Sequence, residues 1–367
     1  MIIAAHFFSP GKEASQLRQC CEILARNNPE DHFIFFADPQ KGINLPIAAN
    51  CKIIAVTPSL RNGLLLHYWY NFKLPSLLNK YNASIFISEA GACSLRTTVP
   101  QYMLVKDEVW SSQIWSRGPH SPYIKKFFSK FVNKAAAVFL ADDYLEQALL
   151  LKYPAVAEKF LVARMGFPSL YKQLSTQEKL AQQDNASQGH AYFLFDCSPA
   201  TRAHAMVVLK AYSIFKRRLK SSLRLVIRLQ ETTIEQCVPD FKNYKYKDDV
   251  RFVVDPPIET YAPMLATAYA FICMRDDHAD KVPGLLAMHC HIPIIALDTA
   301  RARLLYRDAA LYSYPDEKQL ADQLIHLYKD EAQRMTYVKK GIVIASAYNW
   351  QNAANGLWQT ILKLHGL

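Results

Sequence analysis

Hydrophobic and polar positions along this 367-residue chain follow two alternating periods, one of strands and one of helices. Short apolar runs bounded by polar residues read as buried strands: MIIAAHFF, HFIFFAD, CKIIAVTP, ASIFISEAG and PQYMLVKD. Between them, EASQLRQCCEILARNN puts Leu17, Cys20, Cys21 and Leu24 on one helical face. LHYWYNFKLPSLLNKY predicts a helix interrupted at Pro75. SPYIKKFFSKFVNKAAAVFLADDYLEQALLLKY then gives helix, strand and helix. Strands alternating with helices predict parallel pairing through crossovers, hence a doubly wound sheet.

Residues 172–190, KQLSTQEKLAQQDNASQGH, are polar and break the pattern, which marks a domain boundary. A second series follows: strand AYFLFDCS, helix TRAHAMVVLKAYSIFKRRLK, strand LRLVIRL, strand VRFVVD, a helix around YAPMLATAYA and strand AFICMR. Residues 273–295 add a helix, VPGLLAM, feeding a buried strand, IPIIAL. DAALYSYPDEKQLADQLIHLYKD gives one more strand, a turn at Pro315-Asp316 and an amphipathic helix.

Composition narrows the class. The length suits two α/β domains, and 51% hydrophobic with 20% charged residues is globular. No apolar run approaches the roughly 20 residues that span a bilayer. MIIAAHFFSP lacks a basic leader and reads as a first buried strand. Eight scattered cysteines without a CxxC predict buried thiols in a reduced, cytoplasmic protein. The net charge of +11 suits a membrane surface or phosphorylated substrates. Nucleic acid is disfavoured, for the chain holds no RNP signature, zinc finger or helix-turn-helix. His289-Cys290-His291 lacks a standard zinc spacing, so no metal is expected.

Taken in order, these segments resemble the family 4 retaining glycosyltransferases. Residues 273–295 parallel the family's EGFGLPVLEAMACGVPVI, and DAALYSYPDE parallels GDAALYVDPED. YFLFDCSPATRAHAMVVLKAYSIFK and RTTVPQYMLVKD match two further stretches. The resemblance covers nearly the whole chain. It implies an α/β, GT-B architecture of two Rossmann-like doubly wound parallel-sheet domains facing across a cleft. Residues 1–172, completed by a helix in 350–367, would form the acceptor-side domain. Residues 173–190 would be a linker, and 191–349 the nucleotide-sugar side.

The resemblance also implies roles for particular residues. Arg202 corresponds to an arginine that meets the donor diphosphate, a task suited to a planar guanidinium at a helix N-terminus. Ala203 stands where the family has lysine, and Cys197 where it has a loop glycine. The two donor-site glutamates correspond to His278 and Leu286, with Asp276 or Asp277 replacing the first if the alignment shifts. A further family glutamate corresponds to Leu304. Gly11, in GKEAS with Lys12 and Glu13, keeps one glycine of the first domain's phosphate-side loop. Lys106 takes the place of a histidine expected to face the sugar, and Asp107 follows it. Lys106 reads either as an anion ligand or as a solvated strand-end charge. The candidate catalytic residues are therefore His278, Lys106 and Asp107. The candidate donor-binding residues are Arg202, Ser198, Asp277, Gly284 and Gly11.

Two functions remain open at this point. One is sugar transfer from a nucleotide-diphosphate sugar to a glycan or lipid-linked acceptor, as in polysaccharide biosynthesis, with no cofactor beyond the donor substrate. The other is a non-catalytic homologue that binds a glycan or serves as scaffold to a partner glycosyltransferase, because both glutamates are replaced. YIKKFFSKFVNK, with Lys125, Lys126, Lys130 and Lys134 among three phenylalanines, reads either as a core helix or as a peripheral membrane contact through 123–134. A cytoplasmic protein, with contact at the inner membrane face, fits both functions.

Overall fold

Two parallel sheets carry the chain, each built from the apolar runs of one half of the sequence. The structure is a computed structural model that describes residues 1–7, 16–37, 48–89, 91–106, 121–199, 201–230, 232–275 and 283–366. Its described residues divide into two compact units, one from 1–166 and 348–366, the other from 167–275 and 283–347.

The first unit contains β1 (Ile2–His6), α1 (Gln16–Asn27), β2 (His32–Ala37), β3 (Cys51–Ala55), α2 (Gly63–Tyr68), α3 (Leu74–Lys80), β4 (Ile85–Ser88), β5 (Gln101–Val105), α4 (Ser121–Lys134), β6 (Ala137–Leu140), α5 (Asp143–Lys152) and β7 (Phe160–Val162). The strands pair in parallel in the order β3-β2-β1-β4-β5-β6-β7. Side chains alternate across the sheet as strand geometry requires. Ile3, Ala5, Phe33, Phe35, Ile85 and Ile87 pack on α1 and on the helix Trp350–His365. Ala4, Ile34, Phe36, Phe86, Met103 and Val105 share the opposite core with residues of α2, α3 and α4.

Pro75 does not interrupt the helix it was expected to break. A π turn, Trp69–Lys73, joins α2 to α3, and Pro75 falls in the first turn of α3. A proline is tolerated there because the wider turn removes the need for its missing N–H.

The second unit contains α6 (Thr176–Ser187), β8 (Tyr192–Cys197), α7 (Ala205–Leu219), β9 (Arg224–Leu229), α8 (Ile234–Cys237), β10 (Val250–Val254), α9 (Ile258–Thr267), β11 (Ala270–Cys273), α10 (Pro283–His289), β12 (Ile294–Leu297), α11 (Ala300–Tyr306), β13 (Ala310–Ser313), α12 (Glu317–Lys329) and α13 (Glu331–Ser346). Helix Trp350–His365, α14, follows and belongs to the first unit. The second sheet is parallel in the order β10-β9-β8-β11-β12-β13.

Much of the polar stretch 173–190 is helix α6, which packs on α9. Its start is fixed by a capping box: Ser175 accepts from the Glu178 N–H, and Glu178 accepts from the Ser175 N–H. The caps were the signal for a helix here, since its apolar face is too narrow to show one.

The strand order reverses beside the first strand of each sheet. β1 lies between β2 and β4, and β8 lies between β9 and β11. The carboxyl ends at such a reversal are where open α/β sheets bind ligands. In the first unit these ends carry His6, Ser88 and Glu89. In the second they carry Asp196, Cys197, Ser198, Cys273 and Met274.

Candidate functional site

The turn after β8 is drawn tight by one side chain. Thr201, fully buried, donates from its hydroxyl to the Asp196 carbonyl at 2.7 Å and accepts from the Ser198 N–H at 2.8 Å. The Arg202 N–H donates to the Ser198 carbonyl at 2.8 Å, and a single turn of 3-10 helix, Arg202–His204, leads into α7. Arg202 is thereby presented at the start of a 15-residue helix, beside the strand-order reversal. Its side chain is exposed and makes no hydrogen bond or ion pair among the described residues. Ser198 is buried, its hydroxyl 3.3 Å from that of Thr201.

Cys197 does not enter this turn. Alternation along β8 turns its thiol into the core under α7, with Cys237, Ala205 and Val208. Burial pushes that thiol well above the ordinary cysteine range, with neighbouring Cys237 adding to the rise.

Beneath the turn lies a polar group that the sequence did not announce. Asp196 and Arg228 sit opposite each other in the β8–β9 register and face α9. The Arg228 guanidinium lies 3.3 Å from Asp196 Oδ2 and 3.8 Å from the ring centre of Tyr261, whose hydroxyl donates to the same oxygen at 2.7 Å. Asp196 Oδ1 is buried without a partner among the described residues. Burial raises the Asp196 carboxyl from its usual range, outweighing the lowering by Arg228, Tyr261 and Arg275. Two opposite charges at the ends of apolar strands were the available signal. Their pairing depends on a register between residues 32 apart, which no local pattern reveals.

On α10, Gly284 has a packing role: a Cβ there would lie 2.5 Å from the Tyr306 hydroxyl. Tyr306 is buried, with its oxygen 3.9 Å from Cys273 Sγ. Leu286 and Leu304 are both half-buried. The end of α10 is a Schellman-type stop, with the Ile292 N–H on the Ala287 carbonyl at 2.8 Å. His291 occupies its left-handed position at φ 65°, where glycine is the usual residue. Burial holds both His289 and His291 below the ordinary imidazole range.

In the first unit, Lys106 at the end of β5 is neither solvated nor free. Its ammonium binds the carboxylate of Glu89, which also accepts from the Leu17 N–H of α1 at 3.3 Å. Nearby, His6 Nδ1 lies 3.0 Å from the Tyr70 hydroxyl, itself 2.8 Å from Ser88 Oγ. Glu89 escaped the sequence reading because it follows an apolar strand without a motif around it. Candidates Gly11, Asp107, Asp277 and His278 lie outside the described residues, as do Lys12, Glu13 and Asp276. Among the described residues, no group of three or more His, Cys, Asp or Glu is arranged to hold a metal ion. No helix there is long and apolar enough to cross a membrane.

No family model matches the chain. The chain is similar to the Escherichia coli O-antigen chain mannosyltransferase B, at 19% identity over 238 residues. That match spans 63% of this chain and 61% of the curated protein, so it covers about three fifths of each. Solved structures match over nearly the full length. Anabaena HepE, in complex with UDP and glucose, superposes with a TM-score of 0.70 at 13% identity, covering 99% of this chain and all of that one (100%). Sucrose-phosphate synthase from Thermosynechococcus elongatus gives 0.71 at 15%, covering 100% and 99%. WaaG, a glycosyltransferase involved in lipopolysaccharide biosynthesis, gives 0.65 at 11%, covering 97% and 98%. With two parallel Rossmann-like sheets and these neighbours, the chain has the GT-B glycosyltransferase fold.

Proposed function

We propose that the chain binds a nucleotide-diphosphate sugar through its second unit and transfers the sugar to a glycan or lipid-linked acceptor. The observation that carries this reading is Arg202, an exposed guanidinium with no acidic partner among the described residues, at the start of α7 beside the reversal of strand order. Such a group can take a diphosphate in bidentate fashion, and the positive end of the helix adds to it. Transfer would break the bond between the anomeric carbon and the diphosphate and form one to an acceptor oxygen, whose hydroxyl releases its proton. Cationic stabilisation of the departing diphosphate is the largest task a protein has in that step. The UDP and glucose bound by HepE and the mannosyl transfer named for the curated relative support this donor class.

Ser198, buried behind Arg202, shapes the turn. Gly284, Gly11 and Asp277 are proposed as further donor ligands, and His278 as a catalytic residue. Lys106, held by Glu89, and Asp107 are the further proposed catalytic residues. Glycan assembly in the cytoplasm, at the inner membrane face, follows from a lipid-linked acceptor. Calorimetric titration with UDP-, GDP- and ADP-sugars is the test. Micromolar binding of one donor, weakened about tenfold or more in Arg202→Ala through loss of a charged hydrogen bond, is the expected result. Failure of every donor to bind would overturn it.

A second reading, a homologue that binds without turnover, is favoured by one observation. Leu286 and Leu304, half-buried on α10 and α11, offer a sugar no hydrogen bond. Donor binding with no transfer to any acceptor, together with a stable complex with another glycosyltransferase in pull-down, would select this reading.

A further inference from the structure

Helix α4 was the segment in which the sequence left a membrane contact open, and its phenylalanines are largely consumed by the core. Phe128 and Phe131 are buried, and Phe127 is half-buried. The exposed apolar groups lie instead on the neighbouring helix. Leu64, Tyr68 and Phe72 are 82%, 48% and 46% exposed, and their spacing of four residues aligns them along α2 and the π turn. The Tyr68 and Phe72 rings stack at 5.9 Å. Exposing three large apolar side chains in one row is costly in water unless something covers them.

The charge around the row points to what covers it. Residues 59–88 contain no aspartate or glutamate, and neither do 121–134. Arg96 lies over the Phe72 ring at 4.0 Å, and Lys73 follows Phe72 directly. Helix α2 packs on α4, where Phe127 stacks on His67 at 5.8 Å. Lys126 and Lys130 lie 5.5 and 5.7 Å from the Phe127 ring centre. None of Lys73, Arg96, Lys126 and Lys130 has an acidic partner among the described residues. A row of Leu, Tyr and Phe bordered by cations without acidic partners among the described residues is complementary to a surface that is anionic outside and apolar beneath.

We propose that this face, Leu64, Tyr68 and Phe72 with Arg96, Lys126 and Lys130, docks the first unit on an anionic phospholipid bilayer. The row enters the acyl boundary, tyrosine stays at headgroup depth, and the cations meet lipid phosphates. The inference stands apart from the donor chemistry, since it uses no residue of the second unit. The experiment is co-sedimentation of the full chain with vesicles of mixed phosphatidylglycerol and phosphatidylcholine, and with phosphatidylcholine alone. Binding to the mixed vesicles that salt reverses, with little to phosphatidylcholine alone, is expected. Lys126→Ala with Lys130→Ala should weaken it roughly 25-fold, about fivefold for each charge removed. Leu64→Ser with Tyr68→Ser should weaken it about tenfold at unchanged thermal stability. Equal binding to both vesicles, or binding indifferent to either pair of substitutions, would overturn the proposal. So would sedimentation velocity showing a dimer that Leu64→Ser with Tyr68→Ser dissolves, since the row would then face a second copy.

Discussion

The two strand-order reversals of this molecule treat positive charge in opposite ways. In the first unit, Lys106 is bound by Glu89, whose side chain is fully buried. In the second, Arg202 stands exposed with no anion among the described residues, while the buried charge pair Asp196–Arg228 lies on the α9 face of the sheet. The first unit therefore offers a compensated cation, and the second one that no described residue compensates. An anionic ligand gains most where no carboxylate competes for the cation. The contrast also separates stability from binding: buried pairs carry the former, and the exposed Arg202 is the residue proposed for the latter.

The sharpest way to break this contrast is Asp196→Ala. It leaves Arg228 buried with no anion, and removal of one partner of a buried pair costs about 3–5 kcal/mol. Urea denaturation should show that loss, and a loss below 1 kcal/mol would mean the pair is not truly buried. Glu89→Ala should cost less, about 1–3 kcal/mol, because the stem of Lys106 lets its ammonium reach water. Arg202→Ala should leave the denaturation midpoint unchanged, within about 0.5 kcal/mol, while donor binding falls. A variant that loses stability instead would place Arg202 among the structural cations.

Smaller effects test the second unit alone. His291→Gly should stabilise by about 0.5–1 kcal/mol, because glycine takes the left-handed position without steric cost. The acid limb of stability is the smallest effect. His204, His289 and His291 all have folded pKa values below the unfolded one near 6.5, chiefly through burial. The unfolded state then binds more protons, so their contribution is full above pH 6.5 and is lost as pH falls below it. Thermal melts between pH 7.5 and 5.5 should fall with pH, and His289→Gln should make that slope shallower.

Most of the fold was legible because buried parallel strands advertise themselves as continuous apolar runs. HFIFFAD and YFLFDCS became β2 and β8. Helix α6 was less legible, since a helix polar on nearly all sides differs from a linker only in its caps, Ser175 and Glu178. The π turn at Trp69–Lys73 follows from tertiary packing that a proline at position 75 cannot disclose. At the site, Arg202 was visible through the resemblance, whereas Glu89 and the Asp196–Arg228–Tyr261 group were not. Their meaning arises from neighbouring strands, and a linear reading sees only isolated charges in apolar surroundings.

Helix α14 carries a consequence for how the molecule comes to be made. Ala353, Ala354, Leu357 and Ile361 complete one of the two cores of the first unit, and Trp350 packs so closely on Gly166 that a Cβ would lie 2.6 Å from its backbone nitrogen. On a ribosome, the whole of 167–347 emerges before this helix does. The second unit can thus finish folding while the first still exposes the α1 side of its sheet, reversing the usual order in which the earlier-synthesised domain matures first. The emergence of α14, and not that of residues 1–166, sets the moment at which the amino-terminal half becomes native.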